Sequence, residues 1–494
     1  MGKAEHNVNR PNLLFIQTDS QDGRVMGWTG HPAMRRATPN LDALAAGSVR
    51  FANAYTNNPV CCPARSVMWS GTYTHHCEAW NNYKGLEPDA PTFRTRFDDA
   101  GYLTQTFGKT DYLSGRHTVR ARVTAWTRAA CILRPAYRMP PPQVIEDDRE
   151  RVHETDLADV DRSVGFLEER AAQPDRPFML YLGIRAPHPA FTTSRRYLDL
   201  IDEAGVDVPA PDEALEHHPV FHYRKTVMPW MHGRDDHAVR TVRRIYFAMI
   251  AEVDAMVGRV LAALDDLGLT DSTWVIFTSD HGEMALEHGD WYKMCLYEPS
   301  ARVPLIIRAP GGAPATVEDL VSLVDLYPTL MDIAGLTHPE ELDGHSLMPL
   351  LRGAPAPRPD WVLSEFHDTP MSTGVFMLRR GHWKYVAYVG CEAQLFHLGE
   401  DPGELHNLAA ERPDVAREMD GRLRAIVDYE EVDARAKAYD RDAFRAWREE
   451  ERAAGTYRDT MARIYSGFDG LRDDEIMPWT DADEEQIESW LAGT

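Results

Sequence analysis

The sequence predicts an α/β fold followed by a smaller C-terminal α+β unit built on an antiparallel sheet. Three observations point there. Apolar runs of strand length at 12–17 (NLLFIQ), 177–184 and 274–278 are separated by segments with helical spacing. The runs give way to polar residues, placing those residues at the carboxyl ends of buried strands, where open α/β sheets gather ligands. Beyond the linker-like string RGAPAPRPD (352–360), short alternating runs at 361–366, 375–380, 383–389 and 394–397 replace that pattern.

At 494 residues the chain has room for a large core and a second, smaller domain. The expected division is 11–352, 361–430 and a charged, partly helical stretch at 431–494, an interaction tail or a wrapping arm. No apolar run approaches the length of a membrane span, so no membrane partner is expected. The start, MGKAEHNVNR, has no apolar leader region, and the six cysteines show no metal-site spacing. A cytoplasmic protein is the expectation. The formal net charge of −24 repels nucleic acid but leaves room for a local positive pocket.

The elements follow in order. Run 12–17 leads into Thr18-Asp19-Ser20, where Asp19 is a turn former or a ligand at a sheet edge. Residues 38–46 form a helix stopped by Gly47, and 49–55 is extended. The chain then reaches Cys61-Cys62-Pro63-Ala64-Arg65. Pro63 suits a first helical turn and pushes Cys62 toward extended geometry, so Cys61 lies at the mouth of a helix 63–71. Free N–H groups there would hold an anion, with Arg65 reaching back as a bidentate donor. That is a place for sulfate or phosphate. Adjacent cysteines alone would favour a buried apolar pair or a strained vicinal disulfide.

Residues 92–112 give a helix, a glycine stop and a strand ending at Gly108-Lys109, on the same edge as Asp19. Six arginines between Arg116 and Arg138 read as a solvated face, or as part of a substrate rim. MPPPQ (139–143) is a loop, 153–172 a helix, and 177–184 a strand ending in Pro187-His188-Pro189, which fixes His188 in position. Residues 205–235, with His217, His218, His222 and His232, form a long loop, functional or disordered. Zinc is the alternative, disfavoured without nearby Cys or helical His pairs. The longest helical pattern, 240–267, precedes strand 274–278, with Asp280 and His281 at its end. Residues 319–336 (DLVSLVDLYPTLMDIAGL) are similar to the last catalytic-domain helix of a known family, which implies a helix stopped by Gly335.

C-x-P-A-R counted from Cys61 resembles the signature of the sulfatase family. Gly108-Lys109, Asp280-His281-Gly282, YEPSARVP and QLFHLGEDPGELHNLA (394–409) follow in the family's order, over about residues 11–430. The resemblance implies an alkaline-phosphatase-like sandwich with a mostly parallel central sheet. It implies sulfuric ester hydrolysis, with Cys61 oxidised by a formylglycine-generating maturation enzyme to formylglycine, whose gem-diol attacks sulfur. Asp19, residue 61, Asp280 and His281 would hold a divalent cation, calcium by family habit, with Mg²⁺ and Mn²⁺ as alternatives. Arg65, Lys109 and Lys293 would face the sulfuryl oxygens, and His188 or His218 would protonate the leaving oxygen. Glu298 would tie loops together.

One branch of the family acts on 2-O-sulfated uronic acid. Likeness to it in 53–86 and in EHHPV suggests a small sulfated saccharide, with His218, Lys84 and the arginines of 116–138 as partners for its carboxylate. There are two departures. Ser20 stands where most members have a second metal-binding Asp, and Asp111 where they have His. The alternatives are a phosphodiesterase or phosphonate monoester hydrolase of the same superfamily, and a chain never matured at Cys61 that only binds anions.

Overall fold

The computed structural model describes residues 10–134, 144–147, 149, 152–210, 218–228, 235–339, 341–355, 357–467 and 471–493. A seven-stranded sheet forms its centre: β1 (Asn12–Thr18), β2 (Val49–Tyr55), β3 (Leu103–Gly108), β4 (Phe178–Gly183), β5 (Thr273–Ser279), β6 (Leu305–Arg308) and β7 (Ala315–Ser322). The order is β3-β4-β1-β5-β6-β2-β7. β1 pairs in parallel with β4 and β5, β3 with β4, and β2 with β7; β6 alone runs antiparallel to its neighbours. The mostly parallel sheet expected from the sequence is present.

Successive strand residues point to opposite faces, and here both faces are covered, which is why β1, β4 and β5 read as continuous apolar runs. Leu14, Ile16, Leu180, Leu182, Val275 and Phe277 pack against Val253, Met256, Val257 and Val260. Those four lie on a long helix, Asp236–Asp266. On the other face Leu13, Phe15, Tyr181 and Ile276 meet Met68, Trp69 and Phe93. Met68 and Trp69 belong to helix Cys61–Ser70. The long helix starts four residues before the sequence pattern did, because the Asp235 side chain accepts the Ala238 N–H at 2.9 Å and caps it.

A second sheet, β8 (Trp361–Phe366), β9 (Val375–Arg380), β10 (Trp383–Tyr388) and β11 (Gln394–His397), is antiparallel throughout. The chain then runs into helices Tyr429–Ala454, Tyr457–Ile464 and Asp481–Ala492. Their Phe444, Trp447, Met461 and Trp490 join one core with Val123, Trp126, Val242 and Ile245. The charged C-terminal stretch is therefore an arm packed onto the α/β body.

Two expectations need correction. Residues 319–336 are not one helix. Strand β7 runs to Ser322, and helix Leu326–Ala334 starts only after a short 3-10 turn. The arginine run is not simply a solvated face either, because the C-terminal arm covers part of it. Arg128 is buried with its Nε 3.0 Å from Asp440 Oδ2, and Arg134 donates to the Met477 and Pro478 carbonyls at 2.9 and 2.7 Å. Arg138, the 139–143 loop, His217, His232 and residues 1–9 lie outside the described residues. Among the described residues no helix is long and apolar enough to cross a membrane.

Candidate active site

Strands β1, β3, β4 and β5 are parallel neighbours, so their carboxyl ends share one edge of the sheet. Asp19 follows β1, Lys109 follows β3, His188 follows β4, and Asp280 and His281 follow β5. Helix Cys61–Ser70 begins in front of that edge. One ligand atom from each of Asp19, Cys61, Asp280 and His281 lies within 4.8 Å of the others, all buried. Cys61 Sγ is 3.3 Å from His281 Nε2 and 3.8 Å from Asp19 Oδ1, and His281 Nε2 is 3.6 Å from Asp280 Oδ1. His281 Nδ1 is 2.9 Å from the Gly282 carbonyl, so the ring donates there and turns Nε2 to the cluster as an acceptor.

Two buried carboxylates and one imidazole nitrogen, converging on one point, suit a divalent cation. Ser20 is held by the carboxylates instead of adding a charge to them. Its Oγ donates to Asp19 Oδ1 at 3.0 Å and its N–H to Asp280 Oδ1 at 3.3 Å. It sits at φ +66°, a conformation non-glycine residues rarely adopt. The site thus has one acid fewer, with a hydroxyl bracing the two that remain.

Arg65 is the clearest correction. It was expected on a bound anion, but its guanidinium is fully buried behind the carboxylates. Nε donates to Asp280 Oδ2 at 2.9 Å. One terminal nitrogen donates to the Lys109 carbonyl at 2.9 Å and the Tyr181 hydroxyl at 3.0 Å; the other lies 3.5 Å from Asp19 Oδ2. Arg65 positions Asp19 and Asp280. The helix mouth also differs from expectation. Val60 is the extended cap and Cys61 is already helical, because Pro63 is tolerated anywhere in a first turn whose N–H groups have no helical acceptor. Pro63 has no N–H, the Cys62 N–H goes to Asn82 Oδ1 at 3.1 Å, and the Ala64 N–H to the Val60 carbonyl at 2.9 Å. Little of that first turn is left for an anion.

The cations that face residue 61 are lysines. Lys109 Nζ lies 2.5 Å from Asp19 Oδ2 and 3.3 Å from Asp111 Oδ2. Lys293 is buried with its Nζ 3.5 Å from Ser20 Oγ, and no carboxylate of the described residues pairs with it. Burial pushes the Cys61 thiol upward and so does Asp19, but Lys109, Lys293 and His281 outweigh both and hold it well below the ordinary thiol range. Burial and Asp111 push Cys62 the other way. Burial likewise raises Asp19, yet Lys109, His188, Lys293 and His281 keep it well below the usual carboxylate range. The two adjacent cysteines are therefore shifted in opposite directions.

A cavity of about 670 Å³ opens beside Asp19 and Lys109, lined also by Arg116, Arg149, Arg185 and His188. His188 Nδ1 lies 2.7 Å from the Pro189 carbonyl, which fixes the ring in the cavity wall. Arg149 and Arg185 are paired with Asp147 and with Asp156 and Asp159. Arg116 has no carboxylate partner among the described residues. Two expected substrate contacts do not line this cavity. Lys84 is paired with Glu87. The His218 ring stacks on Tyr388 at 4.5 Å, with Nε2 2.7 Å from the Glu392 carbonyl, so it is packed against the C-terminal sheet and not in the cavity wall.

Sequence reading missed Tyr181 and Glu283. Tyr181 anchors Arg65. Glu283 accepts the Ala285 N–H at 3.2 Å and the Tyr292 N–H, shaping the loop that carries Lys293. Its place in DHGE, two residues beyond His281, was the available signal.

The sulfatase family model matches residues 11–336, and that of the N-sulphoglucosamine sulphohydrolase C-terminal region matches 286–428. The chain is 38% identical to arylsulfatase K of Bos taurus over 510 residues, covering 97% of this chain and 92% of that one. Human arylsulfatase K is 38% identical over 465 residues, covering 89% and 86%. Among solved structures, a phosphonate monoester hydrolase of Agrobacterium radiobacter superposes with TM-score 0.70 at 26% identity, over 86% of this chain and 96% of that one. A 2-O GAG sulfatase superposes with TM-score 0.67 at 26% identity, over 87% and 94%.

Proposed function

Because the chain belongs to the sulfatase family and is a sulfuric ester hydrolase, we propose that it cleaves the sulfate ester of a 2-O-sulfated uronic acid in a small saccharide. Cys61 is its maturation point. The observation that carries this reading is the pair Lys109 and Lys293 beside Cys61, one of them buried with no carboxylate partner among the described residues. A tetrahedral dianion is the natural occupant of such a place. The cavity alongside, with Arg116 in its wall, suits a second anionic group on the same substrate. Likeness to arylsulfatase K and to a 2-O GAG sulfatase supports the substrate class.

Formylglycine at position 61, when present, supplies a hydrated aldehyde that can attack sulfur and afterwards release sulfate by re-forming its carbonyl. The chain's own residues do the rest. Asp19, Asp280 and His281, with residue 61, would hold a divalent cation, calcium in the first instance, which would polarise the attacking and sulfuryl oxygens, and Arg65 keeps the two carboxylates in place. Lys109 and Lys293 hold the sulfuryl oxygens as charge builds on them. His188 delivers a proton to the leaving oxygen. The maturation enzyme acts on Cys61 and not on Cys62, in keeping with their opposite thiol shifts.

Mass analysis of the peptide bearing residue 61, after co-expression with a maturation enzyme, should show oxygen in place of sulfur at 61 and an intact thiol at 62. Change at 62 alone, or at neither, removes the covalent chemistry. Cys61→Ala should abolish turnover and leave the melting temperature near that of the parent. Exhaustive chelation should abolish turnover too, and Asp280→Asn should weaken metal binding measured by calorimetry. Full activity without detectable metal would overturn the metal assignment. A second reading, phosphonate monoester hydrolysis, draws support from the superposition on that enzyme. Rates of one preparation on a sulfate ester and on a phosphonate ester separate the two readings.

A further inference from the structure

Lys293 stands on a loop with an unusual backbone. Ala285, Leu286, His288, Tyr292 and Met294 all have φ between +43° and +73°. Non-glycine residues keep such a conformation only where their surroundings over-determine it. Tyr292 and Met294 flank Lys293, so whatever holds them also aims its side chain. Arg224, fully buried on helix Phe221–Val227, points its guanidinium at this backbone. Nη2 donates to the carbonyls of Trp291 at 3.2 Å and Lys293 at 2.9 Å, and Nη1 to that of Met294 at 3.1 Å. Nε donates to Asp290 Oδ2 at 2.5 Å. In an extended chain the carbonyls of neighbouring residues point to opposite sides. Those of Lys293 and Met294 instead converge on one planar group, as the positive φ of Met294 allows. From the other side, the Met294 N–H donates at 3.2 Å to the carbonyl of Pro59, two residues before Cys61. The helix that carries Arg224 is itself seated on the C-terminal sheet, with the Phe221 ring 6.0 Å from that of Tyr388.

We propose that Arg224 is a positioning residue that acts through Lys293: by gathering three loop carbonyls and Asp290 onto one guanidinium, it sets Lys293 Nζ beside Ser20 and Asp19. The inference rests on the sulfatase reading for the role of Lys293. The Lys293 ammonium is 3.5 Å from Ser20 Oγ, which in turn donates to Asp19 Oδ1 at 3.0 Å. Its place is therefore set by its own backbone and not by a carboxylate among the described residues. Arginine is the residue this task needs. Its rigid fork serves several acceptors in fixed directions, whereas a lysine ammonium is a single point on a flexible stem and cannot meet all four. The segment around helix Phe221–Val227 thus contributes to the site through a buried arginine, and its link to the C-terminal sheet makes that sheet part of the support.

The test is a double-mutant cycle on matured, metal-loaded enzyme with an aryl sulfate. Arg224→Lys keeps the charge and should lower kcat about 100-fold, the scale of a misplacement of about 1 Å. In a Lys293→Ala background the same substitution should cost less than about threefold, because the group it places is already gone. A loss caused by misfolding would recur undiminished in that background, and that result overturns the proposal. Turnover of Arg224→Lys at the parent's rate overturns it too. Asp290→Asn removes the carboxylate partner of the guanidinium at constant size and should show the same dependence on Lys293 with a smaller loss. It carries the cycle if Arg224→Lys does not fold, and equal losses in both backgrounds again overturn the proposal. A crystal structure of the variant before maturation should show Lys293 Nζ withdrawn from Ser20 Oγ, with β1 and β5 in place. An unmoved Lys293 overturns the proposal. That measurement needs no turnover. A matured parent without sulfate-ester activity overturns the sulfatase reading, while the crystal structure still decides whether Arg224 places Lys293.

Discussion

Between the α/β sheet and the C-terminal sheet, Lys384 Nζ lies 3.1 Å from Glu298 Oε1 and 2.7 Å from Glu404 Oε1, all three side chains buried. The Tyr55 hydroxyl donates to the same Glu298 at 2.8 Å, and Arg302 and Arg379 stand 3.8 and 3.9 Å away. At the sheet edge, by contrast, Lys293 is also buried, and its Nζ has, among the described residues, a hydroxyl at 3.5 Å and no carboxylate. Both clusters place lysine and acid away from water, where an unmatched charge is costly. Around Glu298 each charge answers another, so the cluster ties strands and loops together and has nothing left to bind with. Around Asp19 a lysine, a thiolate-prone cysteine and an imidazole nitrogen are left facing one another, and a ligand completes them.

The comparison can be broken from either side. The largest effect should come from Lys384→Met, which leaves Glu298 and Glu404 buried without their cation. Stability should fall by roughly 3–5 kcal/mol, measured by denaturant unfolding, while kcat/KM of the folded fraction stays within about twofold. A fall in kcat/KM without loss of stability would mean that this cluster, too, is functional. Lys293→Ala should do the reverse. Removing a charge-stabilising donor costs roughly 10²–10³ in kcat/KM, and stability should hold within about 1 kcal/mol because Asp19 loses only a more distant charge and keeps its contact with Lys109. A stability loss like that of Lys384→Met would make Lys293 a structural residue.

The same contrast explains what could be read in advance. β1, β4 and β5 were legible because burial on both faces leaves a continuous apolar run that ends at the functional residue. The four C-terminal strands were legible from their alternation. β7 was not, because its burial is patchy, with Glu318 and Asp319 exposed at the sheet margin. Its apolar residues merge with those of the following helix into one apparent helical pattern. At the site, the sequence shows that Arg65 is near Cys61 but not which way it points. Its direction is set by Asp280, 215 positions away. Arg128 was misread for the same reason, since Asp440 is supplied by the far end of the chain.

The smallest effect expected concerns the substrate's second charge. A uronate carboxylate beside the sulfate needs a cation that is not already engaged. Of the arginines in the cavity wall, Arg149 and Arg185 have acids of their own, whereas Arg116 has none among the described residues. Arg116 is exposed, so its pairing with the carboxylate is screened and worth about 1 kcal/mol, not the roughly 2–5 kcal/mol of a desolvated pair. Arg116→Ala should therefore cut kcat/KM about fivefold on a 2-O-sulfated hexuronate and leave a plain aryl sulfate unaffected. His218→Ala serves as the counter-case. Its ring is packed on Tyr388, so its loss should lower stability by about 1–3 kcal/mol and affect both substrates alike. If His218→Ala proves selective and Arg116→Ala does not, the carboxylate is read at the C-terminal sheet, and the cavity wall has been assigned the wrong role.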